Sequence, residues 1–321
     1  MALVILLFPV CFFNIGNNKA YAAKDQLDLD VEAAILIDAK TGKILYEKNA
    51  DEMLSVASMS KMLSEYLVLE AIHEGKITWD QEVTIDSFIH KLSDPSLNVS
   101  TVGLIEGEKY TVKELYQSMA IHSANASTVA LAQLIAGSEK EFVEMMKKKA
   151  EELGLEKYYI VNSTGLNNSD MLGNYPVGDE DDENLMTAKD VAKLAYRLIN
   201  DYPEVLETAS MPELKFRDGR TYYNFNWMLP GLVYEYEGVD GLKTGSTELA
   251  GYNFTATAER NGQRFISVVM KSKSQAARFV ETKKLLDYAF QKFSEQEIFP
   301  AGTTVKSTKT LPVTKGKKSS V

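Results

Sequence analysis

The chain has 321 residues, 45% of them hydrophobic and 25% charged, with a formal net charge of −10. That length suits one large domain or two modest ones, and the composition is that of a globular protein. The acidic balance excludes a nucleic-acid partner, because phosphate binding needs a basic face.

Ala2 to Phe13 is apolar, and Ala20-Tyr21-Ala22 has the small-x-small pattern of a cleavage site, so residues 1–22 read as a secretory signal peptide. No Lys or Arg precedes the apolar run. The alternative is a retained N-terminal membrane anchor, for which the run is short. The single cysteine, Cys11, falls inside this segment, and Pro9-Val10 before it fits a lipoprotein site poorly. Disulfides, thiol catalysis and thiolate metal sites are therefore excluded from the mature chain. The three histidines, His73, His90 and His122, form no close pair and no His-Glu-x-x-His string. No metal and no cofactor is expected.

Ala33 to Asp38 is a small apolar run, Asp38-Ala-Lys-Thr-Gly42 is turn chemistry, and Lys43 to Glu47 carries β-branched and aromatic residues, which together read as a hairpin. Ser58 to His73 is apolar on nearly every side, so it reads as a helix in the interior, stopped by Gly75. Residues three apart share a helical face, so the Ser58 hydroxyl and the Lys61 amine can meet. Burial disfavours a charged lysine, and a neutral lysine beside a serine is a base beside a nucleophile. A lone Ser-x-x-Lys is weak, since chance supplies one or two in a chain this long; by itself it reads equally as an ordinary helix start.

From Gly75 to Pro230 the signals are mostly helical. Thr111-x-x-Glu114 and Ser138-x-x-Glu141 are capping boxes, Ala126 to Ala136 is a small-residue helix ended by Gly137, and Thr187 caps another helix to about Asn200. The acidic run Asp179 to Glu183 reads as a solvated loop. After Pro230 the period changes to that of strands, over Val239 to Thr244, Tyr252 to Ala258 and Arg264 to Met270, the last two joined by a turn at Asn261-Gly262. An amphipathic helix follows from Gln275 to Phe293. Strands at both ends and helices between predict an α+β fold. An antiparallel sheet flanked by helices carries an inserted, mostly helical lobe, with a cleft between the two. The domain spans residues 23–293, and 294–321 reads as the truncated start of a C-terminal β-domain.

Two further strings matter. Ser123-Ala-Asn125 lies at a break between helices, and Lys243-Thr-Gly245 lies on a strand. Singly, the first reads as a helix cap and the second as an exposed strand cation. In order, Ser-x-x-Lys, Ser-x-Asn and Lys-Thr-Gly resemble the motif set of penicillin-binding proteins and serine β-lactamases. The segments Ala57 to Lys61, Val161-Asn-Ser-Thr-Gly-Leu166, Val239 to Thr247 and Ala250-Gly-Tyr252 resemble the low-molecular-mass penicillin-binding proteins that are serine-type D-alanyl-D-alanine carboxypeptidases, over roughly Ala33 to Phe293.

The resemblance implies an acyl-enzyme on Ser58, formed on peptidoglycan stem pentapeptides and on β-lactams as covalent inhibitors. Lys61 would be the base, Ser123 a proton relay and Asn125 a holding group. Lys243 and Thr244 would bind the terminal carboxylate, Gly245 would leave the strand open to the peptide, and the backbone N–H groups of Ser58 and Ser246 would form the oxyanion hole. Arg278 would be a second carboxylate anchor, its bland reading being surface charge. His122 reads as packing. The family further implies an extracytoplasmic enzyme, reaching the membrane only through a retained signal segment or a C-terminal anchor missing here. One alternative on the same fold is a β-lactamase, which needs a Glu-x-x-Leu-Asn loop; Asp94-Pro-Ser-Leu-Asn98 is the nearest string, and it carries Asp and precedes Ser123. The other is a non-hydrolytic β-lactam sensor or wall-binding module.

Overall fold

The computed structural model describes residues 27–294. The expected signal segment and, but for Ser294, the expected start of a β-domain lie outside the described residues. The chain opens with β1 (Ala33–Asp38), β2 (Ile44–Lys48) and the short β3 (Leu54–Ser55). A 3-10 turn over Ala57–Ser60 leads into α1 (Lys61–His73). Next come β4 (Glu82–Thr84), α2 (Ser87–Leu92), β5 (Lys109–Thr111), α3 (Val112–His122), α4 (Asn125–Ala136) and α5 (Glu139–Glu152). The short strands β6 (Tyr158–Tyr159) and β7 (Leu185–Met186) bracket a long loop; α6 (Ala188–Asp201), α7 (Val205–Ala209), β8 (Glu213–Lys215) and β9 (Thr221–Tyr223) follow. Three long strands, β10 (Val239–Thr247), β11 (Gly251–Arg260) and β12 (Gln263–Ser272), and the helix α8 (Gln275–Lys292) close the described chain.

The two ends of the chain share one antiparallel sheet in the order β10-β11-β12-β1-β2. β1 pairs with β12, Ala33 opposite Met270 and Asp38 opposite Phe265. Successive strand residues point to opposite faces. Ala33, Ile35 and Ile37 accordingly join the core under the helical lobe, and Ala34 and Leu36 the core under α8. Both faces are covered, so β1 reads as a continuous apolar run rather than an alternating one. Asn261 and Gly262 both have positive φ, 52° and 77°, as the tight two-residue turn between β11 and β12 requires.

α1 is the centre of the helical lobe. It packs against α3, α4, α5 and α6, and Met62, Leu63, Leu67, Val68 and Leu69 are buried around its circumference. Each such side chain is worth about 1.5–3 kcal/mol of burial, so the helix holds its place without an amphipathic face. Thr111 and Glu114 form the full capping box at the start of α3. Ser138 makes the forward arm of its own box, accepting from Glu141 N, at the start of α5. Thr187 accepts from Asp190 N at the start of α6. The acidic run departs from expectation at its last member. Glu183 is buried, and both Ser55 and Thr247 donate to its carboxylate. That carboxylate therefore ties the long loop to β3 and to the end of β10.

Candidate active site

Ser58 sits in the 3-10 turn rather than in the α-helix that the sequence suggests. The difference matters, because side chains three apart eclipse one another in a 3-10 turn, and Lys61 Nζ lies 3.0 Å from Ser58 Oγ. The turn is pinned from both sides. Met59 N donates to Val56 O at 3.1 Å, Ser60 Oγ donates to Ala57 O at 2.7 Å, and Asn253 Nδ2 on β11 donates to Ser55 O at 2.9 Å.

Lys61 is fully buried, and its amine has two further neighbours, Asn125 Oδ1 at 2.7 Å and Thr164 O at 2.7 Å. Asn125 cannot be turned round, because its Nδ2 donates to Ser100 O at 2.9 Å. Both neighbours are thus acceptors only. A neutral amine has two N–H donors and one lone pair; the acceptors take the donors and leave the lone pair for the Ser58 hydroxyl proton. Burial, and then the charge of Lys243, hold the Lys61 amine well below the ordinary lysine value, against opposing pulls from Glu65 and Glu139.

Ser123 ends α3 in a left-handed conformation with φ 57°, and its buried hydroxyl has no hydrogen-bond partner among the described residues. The N-cap of α4 is Ala124, without a side-chain capping bond, so the Ser-Ala-Asn string is not a helix cap. His122 packs. Its ring lies against Tyr222 and Phe225, and its Nδ1 meets Tyr223 O at 3.0 Å.

Lys243 and Thr244 are buried on β10, the edge strand of the sheet, while Ser246 is exposed. The Lys243 amine is brought down to about 8 by burial, with Glu65 resisting and Arg278 assisting. Gly245 has a packing reason of its own. A Cβ there would lie 2.6 Å from Val56 O and 3.1 Å from Ser58 N, so the glycine lets β10 press against the nucleophile turn. Arg278 is not a surface charge. It is 2% exposed on α8, its guanidinium 4.8 Å from the Phe279 ring centroid, and burial lowers it to about 10. The structure thus joins Ser58, Lys61 and Asn125 by hydrogen bonds, brings Lys243 near enough for its charge to act on the Lys61 amine, and leaves Ser123 two residues before Asn125 at the end of α3.

The sequence reading gave no role to Thr164, Glu65 or Glu139. The only signal was the Val161 to Leu166 segment, whose turn-forming residues carry no chemistry of their own. In the fold its Thr164 carbonyl meets Lys61. Asn162 Oδ1 shapes the turn by accepting from Thr164 N, Thr164 Oγ1 and Gly165 N at 2.7–3.1 Å. Glu65, one turn beyond Lys61, is buried and raised to about 7, chiefly by burial. The Asp94 to Asn98 string is an exposed turn in which Asp94 Oδ1 accepts from Ser96 N at 2.8 Å. A cavity of about 350 Å³ between β1, β2 and α6, lined by Ile35, Ile44, Lys193 and Tyr196 among others, holds none of the reactive groups.

A serine against a buried lysine, with the charge of a second lysine reaching that amine, on a sheet-and-helical-lobe scaffold, is the arrangement of an active-site-serine enzyme of the penicillin-binding class. The sequence profile of D-alanyl-D-alanine carboxypeptidases matches residues 19–274, and the chain belongs to that family. It is 35% identical to the D-alanyl-D-alanine carboxypeptidase DacF of Bacillus subtilis, over 93% of this chain and 72% of that protein. It spans from 62% to 66% of the length of three such enzymes of Escherichia coli. Among solved structures, it matches a peptidoglycan synthesis regulatory factor of Streptococcus pneumoniae with 40% identity and a TM-score of 0.83, over 91% of this chain and 82% of that one. It matches an ampicillin-bound penicillin-binding protein of Listeria monocytogenes with 32% identity and a TM-score of 0.70, over 82% of this chain and 99% of that one.

Proposed function

We propose that this chain removes the terminal D-alanine from peptidoglycan stem pentapeptides through an acyl-enzyme on Ser58. The observation that carries the reading is the Lys61 amine, buried with two obligate acceptors and 3.0 Å from the Ser58 hydroxyl. Lys61 takes the Ser58 proton as Oγ attacks the carbonyl of the penultimate D-alanine. The backbone N–H groups of Ser58 and Ser246 receive the developing oxyanion. The C–N bond breaks, a proton passes through Ser123 to the leaving amine, and D-alanine departs. Water then cleaves the ester and restores Ser58.

The peptide lies along the open edge of β10 as an added strand. Asn125 holds the substrate amide as well as Lys61. Lys243 and Thr244 bind the terminal carboxylate, with Arg278 as the second anchor; charge-assisted bonds of this kind are the strong ones. β-Lactams acylate the same serine, as a relative's ampicillin-bound structure suggests. The enzyme works outside the cytoplasm, where its substrate is, delivered by the N-terminal segment. Mass-spectrometric product analysis with a stem pentapeptide tests this reading. Wild type releases one D-alanine and Ser58→Ala none; release by the variant would place the nucleophile elsewhere.

A further inference from the structure

One buried carboxyl has no part in the chemistry above and yet is bound into its scaffold. Glu139, the first residue of α5, is 7% exposed. Its Oε1 accepts from Ser163 Oγ at 2.6 Å and from Ser163 N at 3.1 Å. The Ser163 carbonyl accepts in turn from Ser64 Oγ on α1 at 2.7 Å. The next carbonyl along the chain, that of Thr164, is the one that meets Lys61 at 2.7 Å. Gly165 then presses against the nucleophile turn, where a Cβ would stand 1.9 Å from Ala57 O. The Thr164 carbonyl is thus held upstream by Glu139 and Ser64, on its own turn by Asn162, and downstream by the close approach of Gly165. Glu139 is the one carboxyl of that clamp; burial raises its proton affinity, and the two Ser163 bonds and the Lys61 charge pull it back down.

We propose that Glu139 is a positioning residue for the acylation base, fixing the Thr164 carbonyl against Lys61 through Ser163. This deepens the acyl-enzyme reading and rests on it. The titratable groups that act on Lys61 are Lys243 from β10, Glu65 from α1 and Glu139 from α5. Arg278 from α8 acts on Lys243, and Lys243 acts on His122 from α3. Lys243 depresses the Lys61 amine and the two carboxylates raise it, so Glu139 in its ionised form has a second, charge role, and removing that charge makes Lys61 easier to deprotonate.

The test is the second-order rate constant for labelling by a fluorescent penicillin, measured against pH for wild type, Glu139→Gln and Glu139→Ala. Gln keeps an oxygen that accepts from Ser163 and loses only the charge. The acid limb should move to lower pH by on the order of half a unit to one unit, with most of the plateau retained. Ala loses the clamp as well, and its plateau should fall by about ten- to a hundredfold, since small misplacements of a reacting group have effects of that size. Thermal melts accompany each variant. Should Glu139→Ala not fold, Ser163→Ala, which deletes only the 2.6 Å contact, replaces it and should lower the plateau several-fold. A Glu139→Gln profile superimposed on wild type overturns the charge role. A wild-type plateau in the Ala variant overturns the positioning role. Wild type unlabelled at every pH would instead overturn the acyl-enzyme reading itself.

Discussion

Gly165→Ala tests whether the site depends on the close approach of two backbone segments. Gly165 has φ +76°, and a Cβ there would fall 1.9 Å from Ala57 O, 2.4 Å from Ala57 C and 2.7 Å from Ser60 Oγ. Unstrained contacts lie near ~3.5 Å, so the two segments must part by well over an ångström. One of them carries Ser58 and the other the Thr164 carbonyl. Placing alanine at positive φ costs about 1–2 kcal/mol, and forcing an extra carbon into a packed region about 1–3 kcal/mol more. The sum corresponds to a melting temperature lower by roughly 5–15 °C for a domain of this size. Displacing either segment by ~1 Å should slow acylation about a hundredfold. Gly75→Ala is the control. Its φ is +70°, but nothing lies within 4 Å of the added carbon, so it should lose only the backbone term and acylate normally. The assay is labelling kinetics with fluorescent penicillin beside calorimetry. If Gly165→Ala matched Gly75→Ala in both rate and melting temperature, the close-approach argument would be wrong.

Lys243→Ala should weaken peptides with a free C-terminal carboxylate more than their amides, by about a hundredfold, as expected for loss of a buried charge-assisted contact; equal loss for both would refute the carboxylate role. The same variant removes a positive neighbour that depresses Lys61, so its acid limb should move to higher pH with either substrate, and an unmoved limb would count against the coupling. Lys61→Arg should be unlabelled with Ser58 in place, because guanidinium does not give up its proton; an active variant would rule out the lysine base. Glu65 is raised to about 7 in the folded chain from an ordinary 4.5. A raised carboxyl contributes stability below its unfolded value and loses it as pH rises through the folded one. The unfolding free energy of wild type relative to Glu65→Gln should therefore fall between pH ~4.5 and ~7, and a flat difference in urea melts would show that burial does not perturb this carboxyl.

Much of the molecule was legible in the chain itself, because local rules and tertiary demands agree there. The apolar circumference of Met62 to Leu69, broken only by Ser64 and Glu65, required an interior helix. The caps at Thr111, Ser138 and Thr187 and the Asn261-Gly262 turn set element ends by local hydrogen bonding and φ alone. Strands at both ends with helices between them left a shared sheet as the simple solution, and three short strings carried the candidate reactive side chains. The short strands β3 to β9 were not legible, since segments of two or three residues carry no periodicity.

Only the folded chain decided what Ser58, Gly245, Arg278 and the Val161 to Leu166 segment do. A 3-10 turn and an α-helix share the same sequence signals for one turn, so the eclipsing of Ser58 with Lys61 came from packing against β10 and β11. Gly245 and Gly165 are glycines because another backbone passes within contact distance, which no local pattern records. The carbonyl of Thr164 is a group every residue has, and it becomes part of the site only because Asn162, Ser64 and Glu139 aim it. The proton affinity of Lys61 belongs likewise to the assembly. It depends on burial and on Lys243, Glu65 and Glu139, charges from three separate elements that act on one amine only where the fold brings them together and excludes water.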